Sequence, residues 1–188
     1  MKAGMIALVV VVLALVMGGC EFVSKRNTLV AEKEAIAAQW SQVDADLQRR
    51  ADLVPNLVET VKGYAKEETT VMESVSNARA ALLGAKTPQE KIDANNQLTT
   101  ALGRLLVVVE NYPNLKANEN FRQLQFELEG TENRILQSRR RYNEAVQKYN
   151  TDISLFPGNV VAAMSGLQRE DVYFKTDAGA RAAPKVQF

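Results

Sequence analysis

The sequence has no histidine and a single cysteine, Cys20. Histidine is the side chain that titrates nearest neutral pH and the commonest metal ligand, so its absence removes most general acid/base and metal chemistry. A lone cysteine forms no internal disulfide, so an oxidising compartment neither helps nor harms the fold. Charge of one sign is missing too: 23 Lys and Arg against 22 Asp and Glu leave a net charge of +1. No global field recruits nucleic acid. The ten glycines are scattered and GxxxxGK[ST] does not occur, so there is no phosphate cradle. Ser41, Ser74, Ser76 and Ser138 stand without an elbow or glycine loop. Glu127, Glu129 and Glu132 lack the Glu-x-x-His partners that bundle metal sites use. These absences predict no catalytic residue, no cofactor, no metal and no small-molecule substrate. The expected class is non-enzymatic.

A long hydrophobic run is present. Ala3–Gly19, AGMIALVVVVLALVMGG, carries no charge over seventeen residues. A spanning helix needs about 17–25 apolar residues, and a cleavable signal has a short basic start and small residues at the cut. Met17-Gly18-Gly19-Cys20 resembles a bacterial lipobox, with Met17 where leucine is usual. The cysteine sulfur would then carry lipid and the chain would be cut just before it. Both readings attach the chain to a membrane, by a retained helix or by a multiply acylated Cys20. The signal-like shape places the body outside the cytoplasm, periplasmic or extracytoplasmic.

The body reads as helix almost throughout. Leu29, Ile36, Trp40, Val43 and Leu47 recur at steps of three, four and seven, one face of a helix. No proline precedes Pro55; there a new segment starts, or one long helix bends. A second segment carries Leu57, Val61, Tyr64, Val71, Val75, Ala78 and Leu82 and stops at Gly84. Thr87-Pro88-Gln89-Glu90 fits a capping box with proline in the first turn. The third helix then holds Ile92, Leu98, Leu102, Leu105, Leu106 and Val109, and Asn111-Tyr112-Pro113-Asn114 is a turn cluster. The fourth and longest runs from about Asn118 to Leu155, and a short helix, Val160–Leu167, follows with Asn159 as its cap. The expected fold is all-α, an antiparallel helical bundle of about four long helices with an N-terminal hydrophobic anchor or signal segment.

Several blocks match one family in order: AAQWSQVDADLQRRADLVPNLVETVKGYAKEE, ENYPNLKANENFRQLQFELEGTENRILQSRRRYNEAVQKYN, SLFPGNVVAAMSGL and the ending APKVQF. Over Gln39 to Phe188 the chain resembles the LemA family. The resemblance implies a bacterial protein attached to a membrane by its N-terminus and built as an antiparallel helical bundle; it carries no activity with it. Cys20 departs from members that keep a plain spanning helix. The division expected is 1–19 signal or anchor, 20–176 helical bundle and 177–188 aperiodic tail.

Partner contacts are sought where packing does not explain a residue. Arg139, Arg140 and Arg141 form the densest basic run, yet consecutive helix positions point in different directions. They read as a solvated, salt-bridged face or as a contact to phosphate or lipid headgroups. Arg49 and Arg50 have Asp44, Asp46 and Asp52 within helical reach. Buried tyrosine hydroxyls need partners, which Asn56, Asn95, Asn143 and Asn150 would supply. Val186 and Phe188 keep an apolar character at the aperiodic end, which either docks back on the bundle or presents a short peptide. The function expected is a membrane-anchored helical scaffold or adaptor that binds an envelope protein or itself as a homo-oligomer, through coiled-coil-like side-by-side packing. The alternative is a lipid-binding or membrane-remodelling helical module.

Overall fold

The computed structural model describes residues 2–174. Among them are six helices and no strand: α1 Lys2–Lys62, α2 Thr69–Gly84, α3 Pro88–Val109, α4 Pro113–Lys116, α5 Glu119–Ser154 and α6 Gly158–Ser165. The fold is all-α, as the periodicity requires. The described residues divide into two compact units, one made of residues 2–39 with Tyr142–Asp171, the other of Trp40–Arg141 with residues 172–174.

In the first unit, Leu29 and Ile36 of α1 are buried, as are Tyr142, Val146, Tyr149 and Ile153 of α5 and Val161 and Ala162 of α6. Lys25 pairs with Asp152, and Glu32 with Lys148. Rising numbers on α1 meet falling numbers on α5, so the two segments are antiparallel. Helix α6 starts hard against the end of α5: a Cβ on Gly158 would lie 1.8 Å from the Asp152 carbonyl oxygen. Only glycine fits there. Its C-terminus is closed by Gly166 at φ 68°, the left-handed position glycine adopts without penalty. The cap expected at Asn159 is replaced by Pro157, and Asn159 falls in the first turn.

The second unit packs the remaining stretch of α1 with α2, α3 and the start of α5. Val43, Leu47, Val54, Leu57 and Val61 are buried with Met72, Val75 and Leu82, with Ile92, Leu98 and Leu105, and with Phe121 and Ile135. Each such side chain contributes on the order of 1.5–3 kcal/mol. The capping box forms as its sequence predicts: Glu90 N–H donates to Thr87 Oγ1 at 3.2 Å and Thr87 N–H to Glu90 Oε2 at 3.1 Å.

Two boundaries differ from the reading of the sequence. Helix α1 continues through Pro55 and ends at Lys62, so Leu57 and Val61 belong to it and α2 begins only at Thr69. The three-and-four spacing carries on across the intervening turn, which is why periodicity alone merges the segments. Gly63, a poor helix former, and the tightened bond from Tyr64 N–H to the Val61 carbonyl at 3.0 Å mark the break. Tyr64 therefore sits in a turn, 44% exposed, rather than in the core.

Pro55 has no N–H to give the carbonyl four residues back. That carbonyl belongs to Ala51, which is fully buried. The Arg79 guanidinium of α2 fills the gap, Nε donating to Ala51 O at 2.7 Å. A charged donor thus stands in for the missing backbone bond, and the helix survives its proline. Replacing Arg79 by Met leaves a buried acceptor unmet and is expected to cost about 1–3 kcal/mol. In a Pro55→Ala background the restored backbone N–H takes the carbonyl, and the same change should cost far less. Urea unfolding of the four detergent-solubilised chains measures this coupling; equal costs in both backgrounds would refute the substitution of donor for donor.

Candidate membrane anchor and interaction surfaces

The apolar start of α1 lies in a helix long and apolar enough to cross a membrane, with mean hydropathy 2.0 and none of the apolar window buried. Ile6, Leu8, Leu13, Leu15 and Met17 are all more than half exposed. An uncovered apolar surface of this kind marks a membrane or partner contact. Cys20 is a free, exposed thiol at its end, and the helix passes through it without a break.

One turn further, the first unit gathers four charges. Lys25 Nζ donates to Asp152 Oδ1 at 3.1 Å, and Lys148 Nζ donates to Glu32 and to Asp152 Oδ2, the latter at 3.3 Å. Glu32 is only 9% exposed, and its Oε2 has no hydrogen-bond partner. Burial pushes the Glu32 carboxyl above the usual carboxylate range against the opposing pull of Lys148, and Asp152 beside it pushes the same way. The hydrogen bond from Glu32, then that from Lys25, holds Asp152 down at about 2. Tyr149 and Asn150 tie the chain after α6 to α5: Tyr149 Oη donates to the Gln168 carbonyl at 2.8 Å, and Asn150 Oδ1 accepts from Glu170 N–H at 2.9 Å.

The second unit holds a buried arginine. Arg50, 5% exposed, donates to Asn95 Oδ1 at 2.8 Å and Thr99 Oγ1 at 3.0 Å on α3, and pairs with Glu132 of α5 at 3.0 Å. Burial pushes its guanidinium below the ordinary value and Glu132 opposes the fall. Intrahelical pairing with Asp44, Asp46 and Asp52 is thus corrected. Arg50 lies seven residues from Val43 and Leu57, on the apolar stripe, and that register was the available signal. Asp44 pairs instead with Lys91 of α3. Asn95 serves Arg50 rather than a tyrosine. The hydroxyl of Tyr112 goes to Glu68, and that of Tyr64 accepts from Asn118. Beside Arg50 a groove of about 320 Å³ is lined by Leu57, Leu102, Leu106 and Leu128, with Glu129 and Glu132 at its edge.

The three consecutive arginines separate. Arg139 lies over the Phe174 ring, 4.6 Å from its centroid, and Phe174 stacks on Trp40 at 6.0 Å. Arg140 and Arg141 are exposed. Val186 and Phe188 lie outside the described residues, as does the tail as a whole.

Residues 39–188 match the profile of the LemA family. Among individual proteins, Magnetosome protein MamQ 2 of Paramagnetospirillum magneticum is 26% identical over 92% of this chain and 73% of its own length. Magnetosome protein MamQ of Magnetospirillum gryphiswaldense is 25% identical over the same shares. Protein LemA of Metamycoplasma hominis is 25% identical over 81% of this chain and 68% of its own.

The raised Glu32 carboxyl predicts a pH dependence. The folded chain holds that proton more tightly than the unfolded chain, whose value is 4.5. Stability therefore rises as pH falls through the folded value and levels off below 4.5. Glu32→Gln is neutral at every pH. It is expected to melt higher than the parent chain at neutral pH and to lose that advantage in acid. The Asp152 contribution has the opposite sign, present above 3.8 and lost as pH falls through about 2; its first cause is Glu32 and its second Lys25, so the comparison of the two chains is made above 3.8, where Asp152 is ionised in both the folded and the unfolded state. A melting-temperature difference that does not change with pH would show that Glu32 is not the titrating group.

Proposed function

The chain belongs to the LemA family, and from that premise we propose that it is a non-enzymatic, membrane-anchored helical scaffold that binds an envelope protein or a second copy of itself. One observation carries the reading: the uncovered apolar run and the first helix of the folded body are a single continuous α1. An anchor built this way passes directly into structure, with no linker between membrane and body. The buried charges support it further. Arg50 and Glu32 sit within pairings that hold helices together. The groove at Leu57, Leu102, Leu106 and Leu128 then offers a partner an apolar recess, the kind of surface on which binding energy concentrates.

In this reading the anchor is the retained apolar run of α1 or lipid on Cys20 in its place, and the body faces away from the cytoplasm. The intact mass of membrane-extracted protein tests the first point. A mass of residues 1–188 assigns the anchor to the continuous helix; a mass of residues 20–188 plus acyl chains assigns it to Cys20 and takes away the support drawn from that continuity. A photo-reactive residue at Leu106 tests the scaffold itself. It should give a discrete protein adduct in cells, absent when the same group replaces the exposed Asn133. Adducts with neither another protein nor a second copy would defeat the scaffold reading. Adducts with lipid would favour the second reading, a lipid-binding helical module, to which the exposed apolar residues around α6 lend support.

A further inference from the structure

The first unit carries a second apolar surface apart from the anchor. After α5 ends at Ser154, the turn exposes Leu155 and Phe156, the latter 83% accessible. Helix α6 adds Val160 and Met164, four residues apart and so on one face; Met164 is 73% exposed. The opposite side of α6 is fixed. Gly158, Val161 and Ala162 are buried, and a Cβ at Gly158 would meet the Asp152 carbonyl at 1.8 Å and Lys25 Cε at 3.2 Å. The exposed face is therefore held rigidly against the base of α1 and cannot turn inward.

The register says where that face is. Lys25 and Asp152 are paired at 3.1 Å on antiparallel segments. Glu21 lies four residues before Lys25, and Phe156 four residues after Asp152. The first displacement is about 6 Å at helical rise; the second runs toward the same end until α5 stops at Ser154 and the turn begins. Phe156 thus follows the Lys25–Asp152 pair on the side of Glu21, the first charged side chain after the apolar run, and of Cys20. Val23 of the same stretch of α1 is exposed too, and the exposed Arg26 follows. Apolar side chains on one face with cations just above them are the composition of an element that lies in a bilayer interface.

We propose that the α5–α6 turn and the outer face of α6 form a second membrane contact, with Leu155, Phe156, Val160 and Met164 seated in the lipid interface next to the anchor. The inference rests on the membrane reading of the N-terminal run, and it holds whether hydrocarbon enters as α1 or as acyl chains on Cys20. One attachment point leaves a body free to swivel. Two points set the inclination of the first unit to the bilayer.

The test uses the full chain in vesicles of phosphatidylcholine and phosphatidylglycerol, with Trp40→Phe as background. Flotation of the vesicles first checks the anchor by itself; a chain that stays behind fails on that reading and not on this one. In floating samples, Phe156→Trp is expected to lose most of its emission when the acyl chains are brominated. Met164→Trp, on the solvent side of α6, is a second reporter that does not depend on the turn. Ala35→Trp, exposed on α1 and about 21 Å beyond Glu21 at helical rise, should keep its emission. Reporters at 156 and 164 that ignore brominated lipid in floating vesicles overturn the proposal. So does a blue shift that disappears as the chain is diluted in lipid, because a second copy would then be the cover.

Discussion

Hydrocarbon that no protein surface covers has to leave water by some other route. At about 25 cal/mol per Å², the exposed run from Ile6 to Met17 is too costly to stand in solvent, and this sets the terms for the rest of the first unit. The body starts where the run ends, in the same helix. The first long-range tie, Lys25 with Asp152, falls within two turns of Cys20. Placing a charged lock there draws the far end of α5 and the whole of α6 down to the base of the unit. The antiparallel register and the tight seat of Gly158 meet at that tie: Lys25 pairs with Asp152, and a Cβ on Gly158 would touch both of them.

Each unit holds a buried charge that its partners meet only in part. In the second unit Arg50 is surrounded by donor-accepting groups from two other helices, Asn95 and Thr99 on α3 and Glu132 on α5. Removing any one partner leaves the rest unsatisfied, a costly outcome in a low-dielectric setting. Such a residue discriminates between registers, since a slipped helix would strand it. In the first unit Glu32 is only partly compensated, with one oxygen unpartnered and its carboxyl raised by burial. The two sites differ in their partners rather than in completeness: Arg50 draws its partners from two other helices and Glu32 from Lys148, and each leaves a buried atom unmet, Arg50 Nε in one and Glu32 Oε2 in the other.

Much of the architecture was legible in the sequence. The apolar steps of three and four located the core of every long helix. Thr87-Pro88-Gln89-Glu90 announced the start of α3 residue by residue, since a capping box is local chemistry. Local rules failed where a distant residue intervened. Pro55 left open a new segment or one long bent helix; α1 is one helix there, and the Ala51 carbonyl that Pro55 leaves free is met by Arg79 on another helix. Arg50 looked like a surface partner for nearby aspartates, but its place on the apolar stripe outweighed their proximity. The second membrane-facing element was hidden for the same reason. Leu155, Phe156, Val160 and Met164 read as ordinary apolar positions until the fold shows which of them are left outside.

The order in which contacts become available follows the order of the chain. Helices α2 and α3, joined by three residues and opened by their own capping box, need only local contacts to pair, and such contacts form fastest. Arg50 meets Asn95 and Thr99 at separations of 45 and 49 residues, long before Glu132 has been synthesised. Without α5, the Arg50 guanidinium would have these hydrogen bonds and no counter-charge from Glu132. The last long helix thus brings the only acid that pairs with Arg50 among the described residues, and with it the charge balance of the second unit's interior.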